Sequence, residues 1–163
     1  MKFFLVQISF FLFFSSSLWS QSIADAMHSS LFLEKSELLD GFRDAGYKLH
    51  ASDPSINMYS FVKVSEKKSI TVIQKNMTAY MFPDEYYSEK INLLRKDNDV
   101  RSTNRNEMST RAKTWLKGLS PDCNVEYYVY KEKYSLIVVK LCIEGYSSCT
   151  NVFYMDTDNL EPK

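Results

Sequence analysis

The last third of the chain places the tightest limit on its fold. Residues 124–130, 135–143 and 149–155 are runs rich in β-branched and aromatic side chains, separated only by 131–134 and 144–148. Connections this short join antiparallel neighbours, so the segment is expected to form a three-stranded meander.

The alternation of large apolar residues also sets a register. If Ile137, Val139 and Leu141 face a core, Val152 and Tyr154 should lie opposite Val139 and Ile137. Cys142 then stands directly across from Cys149. The same reasoning puts Val125 and Tyr127 opposite Val139 and Ile137, and Cys123 opposite Leu141. A slip of one residue would turn every side chain to the other face. The chain has three cysteines. The expected bond is Cys142–Cys149, closing the second turn, with Cys123 buried and free. Cys123–Cys142 is the competing pair, since either loop is short enough to close. No Cys-x-x-Cys occurs, which argues against thioredoxin-like chemistry.

Upstream, residues 22–45 carry a helical stripe of Met27, Leu31, Leu38, Phe42 and Ala45. Ser22 suits the N-cap and Gly46 the left-handed C-terminal position. Glu34 and Lys35 interrupt the stripe, so a kink or two helices is expected there. Ser52-Asp53-Pro54-Ser55 is a turn signal. Residues 58–64 and 69–75 read as a hairpin around 65–68, and 78–82 as a further strand. Pro83-Asp84-Glu85 opens a helix whose buried stripe is Tyr87, Ile91 and Leu94. The polar run 96–106 reads as an exposed loop. Residues 107–119 read as a short helix with Met108, Ala112, Trp115 and Leu119 on one face. This order gives an α+β class. The expected architecture is an antiparallel sheet of about five to six strands, made of the N-terminal hairpin and the C-terminal meander, with helices packed on one face.

The first twenty residues follow another logic. Lys2 precedes a run at 3–14 that is apolar except for Gln7 and Ser9, and Ser15-Ser16-Ser17-Leu18-Trp19-Ser20 closes it. That order resembles a secretory signal peptide cut near Ser20. The run is too short for a bilayer span, which takes about 20 apolar residues. The expectation is therefore a signal peptide over 1–20 and one α+β domain over 21–163, secreted or periplasmic, with no membrane span in the mature chain.

Lys plus Arg and Asp plus Glu number 20 each. A nucleic-acid binder would need a strong positive field, and this balance supplies none. With four glycines in all, no Gly-rich phosphate loop of the dinucleotide or P-loop kind occurs. The two histidines, His28 and His50, belong to no recognisable Cys/His signature and lack clustered thiols for zinc. Asp84 and Glu85 suit helix capping, Asp97 and Asp99 a solvated loop. No Gly-x-Ser-x-Gly elbow is present. The reading therefore assigns no catalytic residue, no cofactor and no metal.

Residues 90–117 hold eight basic against three acidic residues, with Arg101 and Arg105 at their centre. Such a stretch suits an acidic partner or, more plainly, a solvated loop. Tyr128 and Tyr130, alternating with Tyr127, should face out or lie under a helix. Exposed tyrosines beside polar loops are common in recognition surfaces. Arg101, Arg105, Tyr128 and Tyr130 are therefore the candidate binding residues. The functional expectation is a small exported protein-binding domain that presents a sheet face or loop to a protein partner, as periplasmic inhibitors and immunity-type proteins do. The alternatives are a secreted hydrolase or toxin with an unrecognised active site, and an envelope assembly or adhesion component.

Overall fold

A computed structural model describes residues 22–119, 123–142 and 149–160, with the side chain of Cys142 excepted. The expected signal peptide at 1–20 lies outside the described residues. Two helices come first: α1 (Ile23–Phe32) and α2 (Lys35–Asp44). Four strands follow: β1 (Lys48–Asp53), β2 (Met58–Lys63), β3 (Lys68–Ile73) and β4 (Met77–Pro83). Then come α3 (Tyr87–Arg95), β5 (Val100–Ser102) and α4 (Thr110–Leu116), and finally β6 (Asn124–Tyr130), β7 (Tyr134–Cys142) and β8 (Cys149–Asp156).

All eight strands form one antiparallel sheet in the order β1-β2-β3-β4-β8-β7-β6-β5. The fold is thus α+β as expected, but the sheet has eight strands where five to six were predicted. Both additional strands come from polar sequence. β1 is exposed at five of its six positions and pairs with β2 across a bulge at Leu49/Ala51. β5 lies inside the run read as a loop; its backbone pairs with Tyr128–Tyr130. The sheet consists of two four-stranded meanders joined where β4 meets β8, with Tyr80 opposite Phe153.

Local chemistry explains the element ends. Ser22 caps α1 by accepting from the Ala24 N–H at 3.1 Å. The stripe break at Glu34 separates two helices: Glu34 and Glu37 form a reciprocal capping box, with the Glu34 N–H donating to Glu37 Oε2 at 3.1 Å. The β6–β7 connection is the three residues 131–133, in which Lys131 and Glu132 both hold positive φ, at 50° and 51°, and the Lys133 N–H donates to the Tyr130 carbonyl at 3.1 Å. That is the backbone a tight hairpin demands. The expected meander register is observed: Ile137 pairs with Tyr154 and Tyr127, and Val139 with Val152 and Val125.

The sheet is covered on both faces, not on one as expected. Helices α1, α2 and α3 lie over a core built from Tyr59, Phe61, Ile70, Val72, Tyr80, Phe82, Leu136, Val138 and Phe153. Helix α4 lies on the opposite face with Met108, Ala112 and Leu116 against Val129, Ile137, Val139 and Tyr154. Trp115 stacks on Tyr154 at 4.5 Å between ring centroids. The second layer follows from the run 136–139, which is apolar at every position. A strand with that pattern is buried on both sides.

Candidate functional site

Helix α4 covers only the β6–β7–β8 half of its face. The other half, on β1 to β4, can be read row by row from the pairing, because directly opposed residues point to the same side. On β2 the row is Met58, Ser60 and Val62. It faces Ile73, Thr71 and Ser69 on β3. These in turn oppose Met77, Ala79 and Met81 on β4. Lys48, Ala51 and Asp53 complete it at the β1 edge. Nine positions on three adjacent strands therefore carry no charge, and charge enters only at the rim. Ser60 and Thr71 hydroxyls bond across the strands at 3.1 Å. None of the nine is fully buried, and Met81 is exposed. Met77 leads into the α4 cluster, so the open half runs directly to the foot of that helix.

The residues nominated from sequence lie elsewhere. Tyr128 and Tyr130 took the second of their two expected positions, under the helices, at 4% and 0% exposure. Both phenols are tied. Tyr128 donates to Glu126, which also accepts from Tyr87 at 2.6 Å and Arg95 at 2.8 Å. Burial alone would raise the Glu126 carboxyl, yet these three donors hold it below its ordinary value. Tyr130 donates to Asp25 on α1, and burial, followed by that carboxylate, pushes its phenol far up. Neither tyrosine offers a surface to a partner; both anchor helices to the sheet.

The basic stretch is largely neutralised. Arg101 pairs with Glu107 and Glu132, each at 3.0 Å. Arg95 pairs with Glu126 and Arg111 with Asp158. Arg105 is exposed and lines a cleft with Leu116, Leu119, Cys123 and Tyr127, on the same side of the sheet as α4.

Cys142 and Cys149 are paired in the backbone register, as the alternation predicts. The Cys142 side chain and residues 143–148 lie outside the described residues. Cys123 is free, and half-buried where full burial was expected. It packs with the α4 cluster. His28 lies on the other side of the sheet, its ring 4.8 Å from Tyr134 and 5.5 Å from Tyr130. The sheet separates these two groups. His50 sits at the exposed β1 bulge. Among the described residues no cluster of His, Cys, Asp or Glu could hold a metal ion, and no helix is long and apolar enough to cross a membrane.

The open face left a trace in sequence that was not read. Where a strand faces solvent, alternate positions usually carry Lys, Glu or Asp. In β2, β3 and β4 the alternates are Met, Ser, Val, Thr, Ile and Ala. Compared with family models, curated proteins and solved structures, the chain matches none of them.

Proposed function

We propose that the chain is a small exported protein-binding domain that seats a protein partner on the open face of β2–β4, in the manner of an inhibitor or immunity-type protein. The observation that carries this reading is the uncharged patch spanning three strands. Depletion of charge is the compositional mark of an interface centre, and a polar rim is its usual border. Lys48 and Asp53 supply that rim at the β1 edge. The middle row of the patch, Ser60, Thr71 and Ala79, is made of short side chains, which lose little rotamer entropy when they are covered.

The test is a pull-down with the chain lacking residues 1–20, set beside Thr71→Lys and Ala79→Lys. Both substitutions place an ammonium in the middle of the patch and leave the two cores untouched. A partner retained by the parent chain and lost by both variants is the expected result. A partner retained equally by all three chains would remove the face from consideration.

A second reading has one observation in its favour. β1 is an exposed edge, and an extended segment of another chain can add to such an edge. Light scattering that finds open-ended oligomers of this chain would favour that reading over a one-to-one complex.

The export proposal extends to the thiols. We infer a Cys142–Cys149 bond, since their strands place them opposite each other. Its loop is short, so its expected stabilisation is limited to ~2–3 kcal/mol. Mass spectrometry of a non-reduced digest should link Cys142 to Cys149 and leave Cys123 alkylatable. A peptide linked through Cys123 would overturn the assignment.

A further inference from the structure

β1 is the outer strand of the sheet, so its outward N–H and C=O groups have no ladder partner. Its pairing with β2 gives it a symmetric side-chain pattern. Lys48, Ala51 and Asp53 oppose Val62, Ser60 and Met58 and point to the open face. Leu49 and Ser52 oppose Phe61 and Tyr59 and point to the helix-covered face. His50 is the extra residue of the bulge. In a regular strand, residues five apart lie on opposite faces. The bulge brings Lys48 and Asp53 to one face, each two ladder positions from Ala51.

A strand with that pattern is complementary to its own reverse. Two copies set antiparallel about a twofold axis through Ala51 place Lys48 of each against Asp53 of the other, and Leu49 of each against Ser52 of the other. Opposed residues of an antiparallel pair share a face, and these do. A slip of one position sets residues of opposite faces against each other, and a slip of two leaves both charges unanswered. The side chains suit the pairing. Lys48 is exposed. Asp53 accepts from the Ser55 N–H at 3.0 Å and the Ser55 hydroxyl at 2.6 Å, both on Oδ1, which leaves Oδ2 for a cation. Leu49 is 51% exposed and would be covered. Lysine and a bulge commonly guard an edge against pairing. Here the bulge aligns the two charges, and the reversed copy supplies the acid for the lysine.

We propose that the chain forms a closed dimer by antiparallel pairing of β1 with the β1 of a second copy, Lys48 of each set against Asp53 of the other. The proposal rests on the edge-addition reading of β1 and names its occupant. The twofold axis stands perpendicular to the sheet, so two eight-stranded sheets become one and both open faces lie on the same side of it. The other edge, β5, offers only three residues, so the assembly stops at two.

Sedimentation equilibrium of the chain lacking residues 1–20 should show monomer and dimer and nothing larger. Lys48→Glu and Asp53→Lys each set like charges against each other at both ends of the pair, and each should weaken the dimer at least ~10-fold. An equimolar mixture of the two variants should restore it, because each then meets opposite charges on the other. Thr71→Lys, in the open face, should dimerise like the parent, which separates this pairing from the partner reading of that face. Should Asp53→Lys disturb the turn that Asp53 caps, amide hydrogen exchange tests the parent chain itself. Protection over 48–53 should rise with protein concentration, and protection over 100–102 should not. A parent chain still monomeric at ~1 mM would overturn the proposal. So would single variants that dimerise like the parent, a mixture no better than either alone, or β1 protection independent of concentration. Assemblies beyond the dimer would overturn it too, while leaving β1 an edge that adds some other segment.

Discussion

Phe153→Ala is expected to destabilise the fold by ~3–5 kcal/mol, the usual cost of truncating a fully buried aromatic residue. Phe153 is 0% exposed. It sits at the middle of β8, opposite Tyr80 on β4 and Val138 on β7. Its ring meets Phe82 edge-on at 5.8 Å. β8 forms the seam between the two meanders together with β4, which lies on one side of it while β7 lies on the other. A cavity there loosens the seam between the two halves as well as the core under α1 and α3. Domains of this size have a total stability of ~5–15 kcal/mol, so the variant should lose a large share of it. Urea unfolding followed by circular dichroism measures the change. Val64→Ala is the control: Val64 is 79% exposed, and its truncation should fall within ~0.5 kcal/mol of the parent. A Phe153→Ala cost below ~1 kcal/mol would mean that β8 is not the centre of the sheet.

The two meanders were not equally legible in the sequence. The C-terminal one could be read to the residue because its turns are short and its large apolar residues alternate. The pairing of Ile137 with Tyr154 and Val139 with Val152 needed nothing else. The seam was not legible. β4 and β8 are far apart in sequence, and no turn ties them. Phe82 against Asn151 and Tyr80 against Phe153 are matched only by tertiary packing. β1 and β5 were missed for the opposite reason. Lys48–Asp53 and Val100–Ser102 have almost no apolar content, so hydrophobic period cannot reveal them. They are strands because a neighbour's backbone is there to pair with.

The candidate site follows the same division. Tyr128 and Tyr130 were placed correctly on one face by strand alternation, and whether that face was wet depended on helices lying elsewhere in the chain. Tyr130 is closed off by Asp25 on α1, over a hundred positions away. The second covered face was available from sequence: Leu136, Ile137, Val138 and Val139 are apolar at successive positions, which a one-sided sheet does not require. Charge was the least legible property. Arg101 finds Glu107 and Glu132 through the β5 and β6–β7 geometry, so a stretch that reads as strongly basic is locally paired.

Asp156 should make the domain more stable in mildly acidic solution than at neutral pH. The carboxyl ends β8 at 0% exposure. Ser109 Oγ donates to it at 2.8 and 3.0 Å, and Tyr154 Oη at 3.0 Å. Ser109 is also the N-cap of α4, accepting from the Ala112 N–H at 3.0 Å. The pair therefore fixes α4 to the sheet. Burial raises the Asp156 carboxyl to about 6, the two hydroxyl donors and the Asp158 N–H opposing that rise and the Asp158 charge adding to it. The folded state thus binds a proton more tightly than the unfolded chain, whose ordinary carboxyl value is 3.8. The stabilisation this supplies is complete below the unfolded value and lost as pH rises through about 6. The difference amounts to at most about 3 kcal/mol. His28 acts in the other direction. Burial, then Lys131, lowers its value, so it contributes stability that fades as pH falls. Arg111 and Asp158 are the other charges near Asp156, and the arginine, raised chiefly by its bond to Asp158, stays charged throughout. Comparing the parent chain with Asp156→Asn isolates the carboxyl, since His28 and Arg111 are common to both. Asparagine keeps the shape and one accepting oxygen but cannot titrate. Between pH 7 and 4.5 the parent should gain stability relative to Asp156→Asn, measured by urea unfolding at each pH. Parallel curves for the two proteins across that window would show that the buried carboxyl does not titrate there.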